Sequence, residues 1–146
     1  YDLHGSWESV TGAHTALTDP AGGPSLTLAV DTWLSGGMPP SKLVLGLAAY
    51  GRSWELSSGV ETGMGALASG AGAPGETTRE AGFLSYAEIE SRVEAGWSLR
   101  FHAATQTAYA TDGTQWVSFD TVETLALKVD FMKARNLGGV MWWAGD

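Results

Sequence analysis

Apolar residues recur at helical spacing at Leu26, Ala29, Val30, Trp33 and Leu34. Ser25 stands ahead of them as an N-cap and Gly36-Gly37 follow as a stop, so a helix is predicted between them. Pro39-Pro40 then forces an extended lead into an unbroken apolar run from Leu43 to Ala49. A short continuous run between breakers predicts a strand buried on both faces, as in a parallel sheet. Further on, Ser85-Tyr86-Ala87-Glu88 reads as a capping box that opens a short helix with Tyr86, Ile89 and Val93 on one face. Trp97, Leu99, Phe101 and Ala103 alternate with polar residues as a half-buried strand does. Asp112-Gly113 predicts a hairpin turn between "TAYAT" and "TQWVSF".

A second capping box, Asp120-Thr121-Val122-Glu123, opens the clearest helix, with Val122, Leu125, Val129 and Met132 on one face and Asn136-Leu137-Gly138 at its end. "GGVMWWAG" follows as another buried strand. Residues 1–4 read as the tail of a strand, 5–24 as loop, and 55–78 as a Gly/Ala/Ser/Thr-rich stretch that alone would fit a linker. Without residues 51–119 the order is strand, loop, helix, strand, helix, strand. Repeated βα units predict an α/β protein, a parallel sheet or barrel, interrupted by an α+β insertion. The expected division is 1–50, then an insertion over 51–119, then 120–146. Three parallel strands are too few to close a barrel, so the sequence reads as incomplete at both ends.

Composition narrows the function classes. The chain has 146 residues, a net charge of −8 and a pI near 4.7, with basic residues scattered singly. Nucleic acid is therefore not an expected partner, because no Lys/Arg cluster exists to neutralise phosphates. No apolar run approaches the roughly 20 residues of a bilayer span. Cysteine is absent, and His4, His14 and His102 lie far apart, so neither disulfides nor a metal site is expected. Seven Trp and 20 Gly suit a protein that binds flat sugar faces, although core filling explains composition alone better.

Active sites of such barrels gather at the C-terminal ends of strands. That rule selects Tyr1-Asp2 with Trp7, Tyr50-Gly51-Arg52 with Trp54, and Met141-Trp142-Trp143 with Asp146. Each group offers an aromatic beside a charged or hydroxyl group, as a polar cleft with stacking walls requires.

Four ordered blocks, "YDLHGSWE", "KLVLGLAAYGRSW", "GAPGETTREAGFLSYAEI" and "QWVSFDTVETLALKVDFMKARNLGGVMWW", resemble the C-terminal part of a chitinase of glycoside hydrolase family 18. The resemblance implies part of a TIM (β/α)8 barrel, strands six to eight, with an α+β insertion domain after the seventh. It implies substrate-assisted, retaining hydrolysis of β-1,4-linked N-acetylglucosamine polymers, in which the 2-acetamido oxygen attacks the anomeric carbon. Tyr1 and Asp2 match the pair that clamps the acetamide at the end of the sixth strand. Trp7 matches an aromatic on the leaving-group side, and Tyr50 and Arg52 the "YGR" block that contacts sugar. Glu80 matches an acid of the insertion domain, and Met141 and Trp143 the eighth strand, whose Trp floors the reacting sugar. Trp142 falls where the family varies and reads as packing.

One departure matters. The family's acid/base lies in an Asp-x-x-Asp-x-Asp-x-Glu motif that these residues do not contain, and Glu88 and Glu90 lack the preceding Asp ladder. The expectation is therefore the C-terminal portion of a secreted, extracellular chitinase that binds chitin or chitooligosaccharide without a cofactor. The rest of the barrel, in the same or a separate chain, would be its partner. The alternative is a non-catalytic chitin-binding relative.

Overall fold

The computed structural model describes residues 1–144. Helix α1 (Leu26–Ser35) forms where the periodicity places it, with the Ser25 side chain accepting the Leu28 N–H and Gly36 closing the last turn. A 3₁₀ turn (Pro40–Lys42) leads into strand β1 (Val44–Ala48). After Ala49 the chain enters β2 (Tyr50–Leu56), followed by β3 (Ala68–Ala71), β4 (Phe83–Ser85), α2 (Tyr86–Glu94), β5 (Ser98–His102), β6 (Thr107–Thr111) and β7 (Gln115–Phe119). Helix α3 (Val122–Ala134) and strand β8 (Gly139–Trp143) complete the described chain.

Two sheets result. β1 and β8 pair in parallel, Val44 with Gly139 through Ala48 with Trp143. The antiparallel sheet runs β3-β2-β7-β6-β5, with β4 also on β2. The Asp112 turn joins β6 to β7: the Asp112 carboxylate accepts the Thr114 and Gln115 N–H groups, and Gly113 takes a positive φ.

Three apolar clusters hold these parts. Leu17, Leu26, Val30, Leu45, Leu47 and Leu137 bury α1 and the α3 end against β1. Leu84, Ile89, Ala108, Ala110, Val117 and Phe119 seat α2 on the antiparallel sheet. Trp54 and Trp116, edge to face at 5.3 Å, fill the other face beneath the 57–67 loop.

Several sequence expectations are corrected. Residues 1–4 form no strand among the described residues; the chain turns at Asp2, whose φ is 61°. Tyr50 and Arg52 do not end β1 but open β2, which leaves β8 behind and pairs with β7. The α3 capping box is Thr121 with Thr124, one residue later than expected, because the Asp120 carboxylate is engaged by Lys128. That engagement also shifts the buried face of α3: Val122 is exposed, whereas Thr124 and Lys128 are fully buried. Within the supposed linker, β3 is ordered by pairing with β2.

Candidate functional site

β2 carries the centre of the site. Alternation along a strand puts Tyr50 and Arg52 on one face and Gly51 on the other. A Cβ at Gly51 would lie 2.6 Å from Val117 Cγ2 and 2.8 Å from Ile89 Cδ1, so the absent side chain is what lets α2 and β7 close on the strand there. Asp2 faces Tyr50 and Arg52 from across the chain. Its Oδ1 accepts the Tyr50 hydroxyl at 2.9 Å and Arg52 Nε at 2.8 Å. The left-handed backbone at Asp2, a strain of about 1 kcal/mol for a residue with a side chain, is fixed by the Leu3 N–H donating to the His14 carbonyl at 3.0 Å.

These contacts set the charges. Burial works against ionisation of Asp2, but hydrogen bonds from its neighbours outweigh it and hold the carboxyl well below the ordinary range. Burial, and then the hydrogen bond to Asp2, push the Tyr50 hydroxyl up, so it remains a donor. The hydrogen bond to Asp2 raises Arg52 above its ordinary value, with burial opposing. Asp2 Oδ2 accepts no hydrogen bond among the described residues and is free for an amide donor.

Aromatic faces surround this pair. The Arg52 guanidinium sits 5.6 Å from the Trp7 and Tyr50 ring centres and 5.5 Å from that of Phe83. Tyr50 stacks on Phe83 at 4.8 Å. Trp7 is 62% exposed, as a stacking surface for a ligand must be. Tyr1 approaches Tyr50 edge-on at 6.0 Å and lies over Gly46, where a Cβ would stand 2.8 Å from Tyr1 Cε1. Gly46 and Ala48 pair with Met141 and Trp143, which puts those two side chains on the Tyr1 face of the parallel pair; Met141 and Tyr1 line one cleft.

Of the residues selected from sequence, Tyr1, Asp2, Trp7, Tyr50 and Arg52 come together, with Met141 beside Tyr1. Trp143 ends β8, its carbonyl accepting the Ala49 N–H at 2.8 Å. Glu80 is exposed on the β3–β4 loop; among the described residues its carboxylate accepts no hydrogen bond from the cluster, although its charge acts on Arg52. Trp54 is fully buried and belongs to the core, and Asp146 lies outside the described residues. Phe83 and His14 were missed. Phe83 is one apolar letter in "GFLSY", and a single histidine in "GAHTA" carries no spacing signal.

Glu88 is unsuited to general-acid work. Despite the opposing effect of burial, hydrogen bonds from Ser85, Thr78 and Thr77 hold it at about 2, whereas a general acid needs a raised value. Among the described residues no group of three His, Cys, Asp or Glu is arranged to hold a metal ion.

The sequence profile of glycosyl hydrolases family 18 matches residues 1–146. Mouse chitotriosidase-1 is 40% identical over 153 residues, covering all of this chain and 32% of that protein. A family 18 chitinase from the cycad Cycas revoluta, solved in complex with (GlcNAc)4, superposes with a TM-score of 0.91 at 42% identity, over 99% of this chain and 40% of that one. A human pseudo-chitinase with retained chitooligosaccharide binding superposes with a TM-score of 0.93 at 41% identity, over 99% and 41%. The chain thus spans about two fifths or less of the length of these relatives. The fold is part of a TIM (β/α)8 barrel with an α+β insertion domain. By profile, sequence and fold alike, the chain belongs to glycoside hydrolase family 18.

Proposed function

We propose that this chain forms the acetamide-binding side of a cleft for β-1,4-linked N-acetylglucosamine polymers, within a protein that hydrolyses them with retention. The observation that carries the reading is the shared Asp2 Oδ1, held by Tyr50 and Arg52 beside Tyr1. Such an ionised, pre-oriented carboxylate suits the N–H of a 2-acetamido group through its free Oδ2, while the Tyr1 hydroxyl serves the acetamide carbonyl. Clamping the group between them brings its oxygen to the anomeric carbon and removes orientational freedom before the reaction. Trp7 stacks on the leaving-group side, Arg52 and Glu80 contact sugar hydroxyls, and Met141 and Trp143 form the apolar floor. The proton for the leaving oxygen comes from a carboxyl outside these 146 residues. A polymer of this size is met outside the cell, and we infer a secreted protein.

The second reading is a chitooligosaccharide-binding protein without turnover. It is favoured by the near-equal identity to the cycad chitinase and the human pseudo-chitinase, 42% and 41%. One experiment separates the two: (GlcNAc)4 is added to the full-length protein, with calorimetry for binding and proton NMR for products. Cleavage with the β-anomer appearing first supports the enzyme, and binding without products the second reading. Absence of both sinks the proposal.

A further inference from the structure

We propose that His14 is a positioning residue for the acetamide clamp, its imidazole accepting the Asp2 N–H while donating to the Tyr50 carbonyl. The inference rests on the functional reading above and assigns a residue outside the direct sugar contacts.

His14 is fully buried within the buried stretch 11–17 and reaches three distant parts of the chain. Its carbonyl accepts the Leu3 N–H, and its backbone N–H donates to Ser118 Oγ at 3.2 Å on β7. Nε2 lies 3.2 Å from the Tyr50 carbonyl oxygen. Nδ1 lies 3.4 Å from the Asp2 backbone nitrogen and 3.8 Å from Asp2 Oδ1.

The tautomer follows from those partners. A carbonyl oxygen only accepts, so Nε2 must carry a proton. Burial favours the neutral ring and outweighs the pull of the Asp2 and Asp120 carboxylates toward the charged form, which leaves Nδ1 bare. A bare Nδ1 needs a donor, and the Asp2 N–H supplies it; the carboxylate, at 3.8 Å, is too far to be bonded. The ring therefore links the backbone of the two residues whose side chains meet at Asp2 Oδ1. It fixes the left-handed turn at Asp2 relative to Tyr50, which a core-filling apolar residue of similar size would not do.

Asparagine and glutamine each mimic one half of the ring: Asn presents an acceptor near Nδ1, and Gln a donor near Nε2. Each variant keeps one half of the link and breaks the other. In the full-length protein, both His14→Asn and His14→Gln are expected to lose about fivefold of the preference for (GlcNAc)4 over deacetylated (GlcN)4, the effect of one hydrogen bond. Full preference retained in either variant overturns the proposal.

Two readouts need no sugar. ¹⁵N NMR of wild type should show a neutral His14 ring protonated at Nε2; protonation at Nδ1 overturns the proposal, and this measurement requires no substitution to fold. Hydrogen exchange of the Asp2 amide should be slow in wild type and His14→Asn and fast in His14→Gln. A wild-type protein that binds neither sugar sinks the functional reading, while the tautomer and the exchange rate still decide the His14 link.

Discussion

The Tyr50 hydroxyl donates to Asp2 Oδ1 at 2.9 Å, joining residues 48 positions apart at the centre of the site. Replacing Tyr50 by Phe removes that donor and leaves the ring stacked on Phe83. The Asp2 carboxyl is then expected to titrate closer to the ordinary range, visible by ¹³C NMR. Affinity for (GlcNAc)4 should fall roughly three- to tenfold. An unchanged Asp2 titration would contradict the geometry.

Tyr1 depends on the bare backbone of Gly46 beneath it. A Gly46→Ala change should displace the Tyr1 ring and weaken sugar binding with little loss of thermal stability, because Tyr1 is 36% exposed and free to give way. Under the proposed hydrolytic function, Tyr1→Phe in the full-length protein should lower kcat more than it raises KM, since a clamp on the acetamide would act mainly as its oxygen attacks. Thermal melting and (GlcNAc)4 titration of Gly46→Ala and steady-state kinetics of Tyr1→Phe check these statements; a pure KM effect in Tyr1→Phe would place the residue in ground-state binding.

Acid stability should depend on Glu88. Its carboxyl falls from the ordinary 4.5 to about 2 on folding, so the folded state binds the proton less readily than the unfolded one. The resulting stabilisation is complete above pH 4.5 and disappears as the pH drops toward 2. Glu88→Gln should therefore flatten the pH dependence of urea midpoints across that window, with the midpoints at pH 7 lowered toward those at pH 3. An unaltered slope would rule out Glu88 as the source.

The fully buried Lys128–Asp120 pair is a fourth test. Burial lowers the Lys128 ammonium below its usual value, and Asp120 opposes that shift. Removing one partner strands the other charge, so Asp120→Ala should cost about 3–5 kcal/mol. The double change Asp120→Ala with Lys128→Met should recover most of it. Denaturant titration measures both, and equal losses in single and double variants would show that the pair's charge is not the cause.

Much of this chain was legible from local chemistry. Ser25, the Ser85/Glu88 box and the Asp112-Gly113 turn act through neighbours a few residues away, so their letters alone imply α1, α2 and the β6–β7 hairpin. The strand-end rule and the resemblance also singled out Tyr1, Asp2, Trp7, Tyr50 and Arg52, which the fold brings together. The end of β1 was not legible: Leu43 to Tyr50 is one apolar run, and only the change of partner from β8 to β7 splits it. Likewise Asp120 and Thr121 are both good caps, and the choice fell to Thr121 once Lys128 engaged Asp120.

The sequence by itself determined the helices, the hairpin and the class of fold. These depend on periodicity and on short-range hydrogen bonds, which are written in consecutive letters. Only the tertiary structure decided that Asp2 turns left-handed, that Trp54 is core while Trp7 is surface, and that His14 lies between the Asp2 backbone and the Tyr50 carbonyl. Each of those outcomes depends on atoms brought together from remote parts of the chain, and no local pattern encodes which remote neighbour arrives.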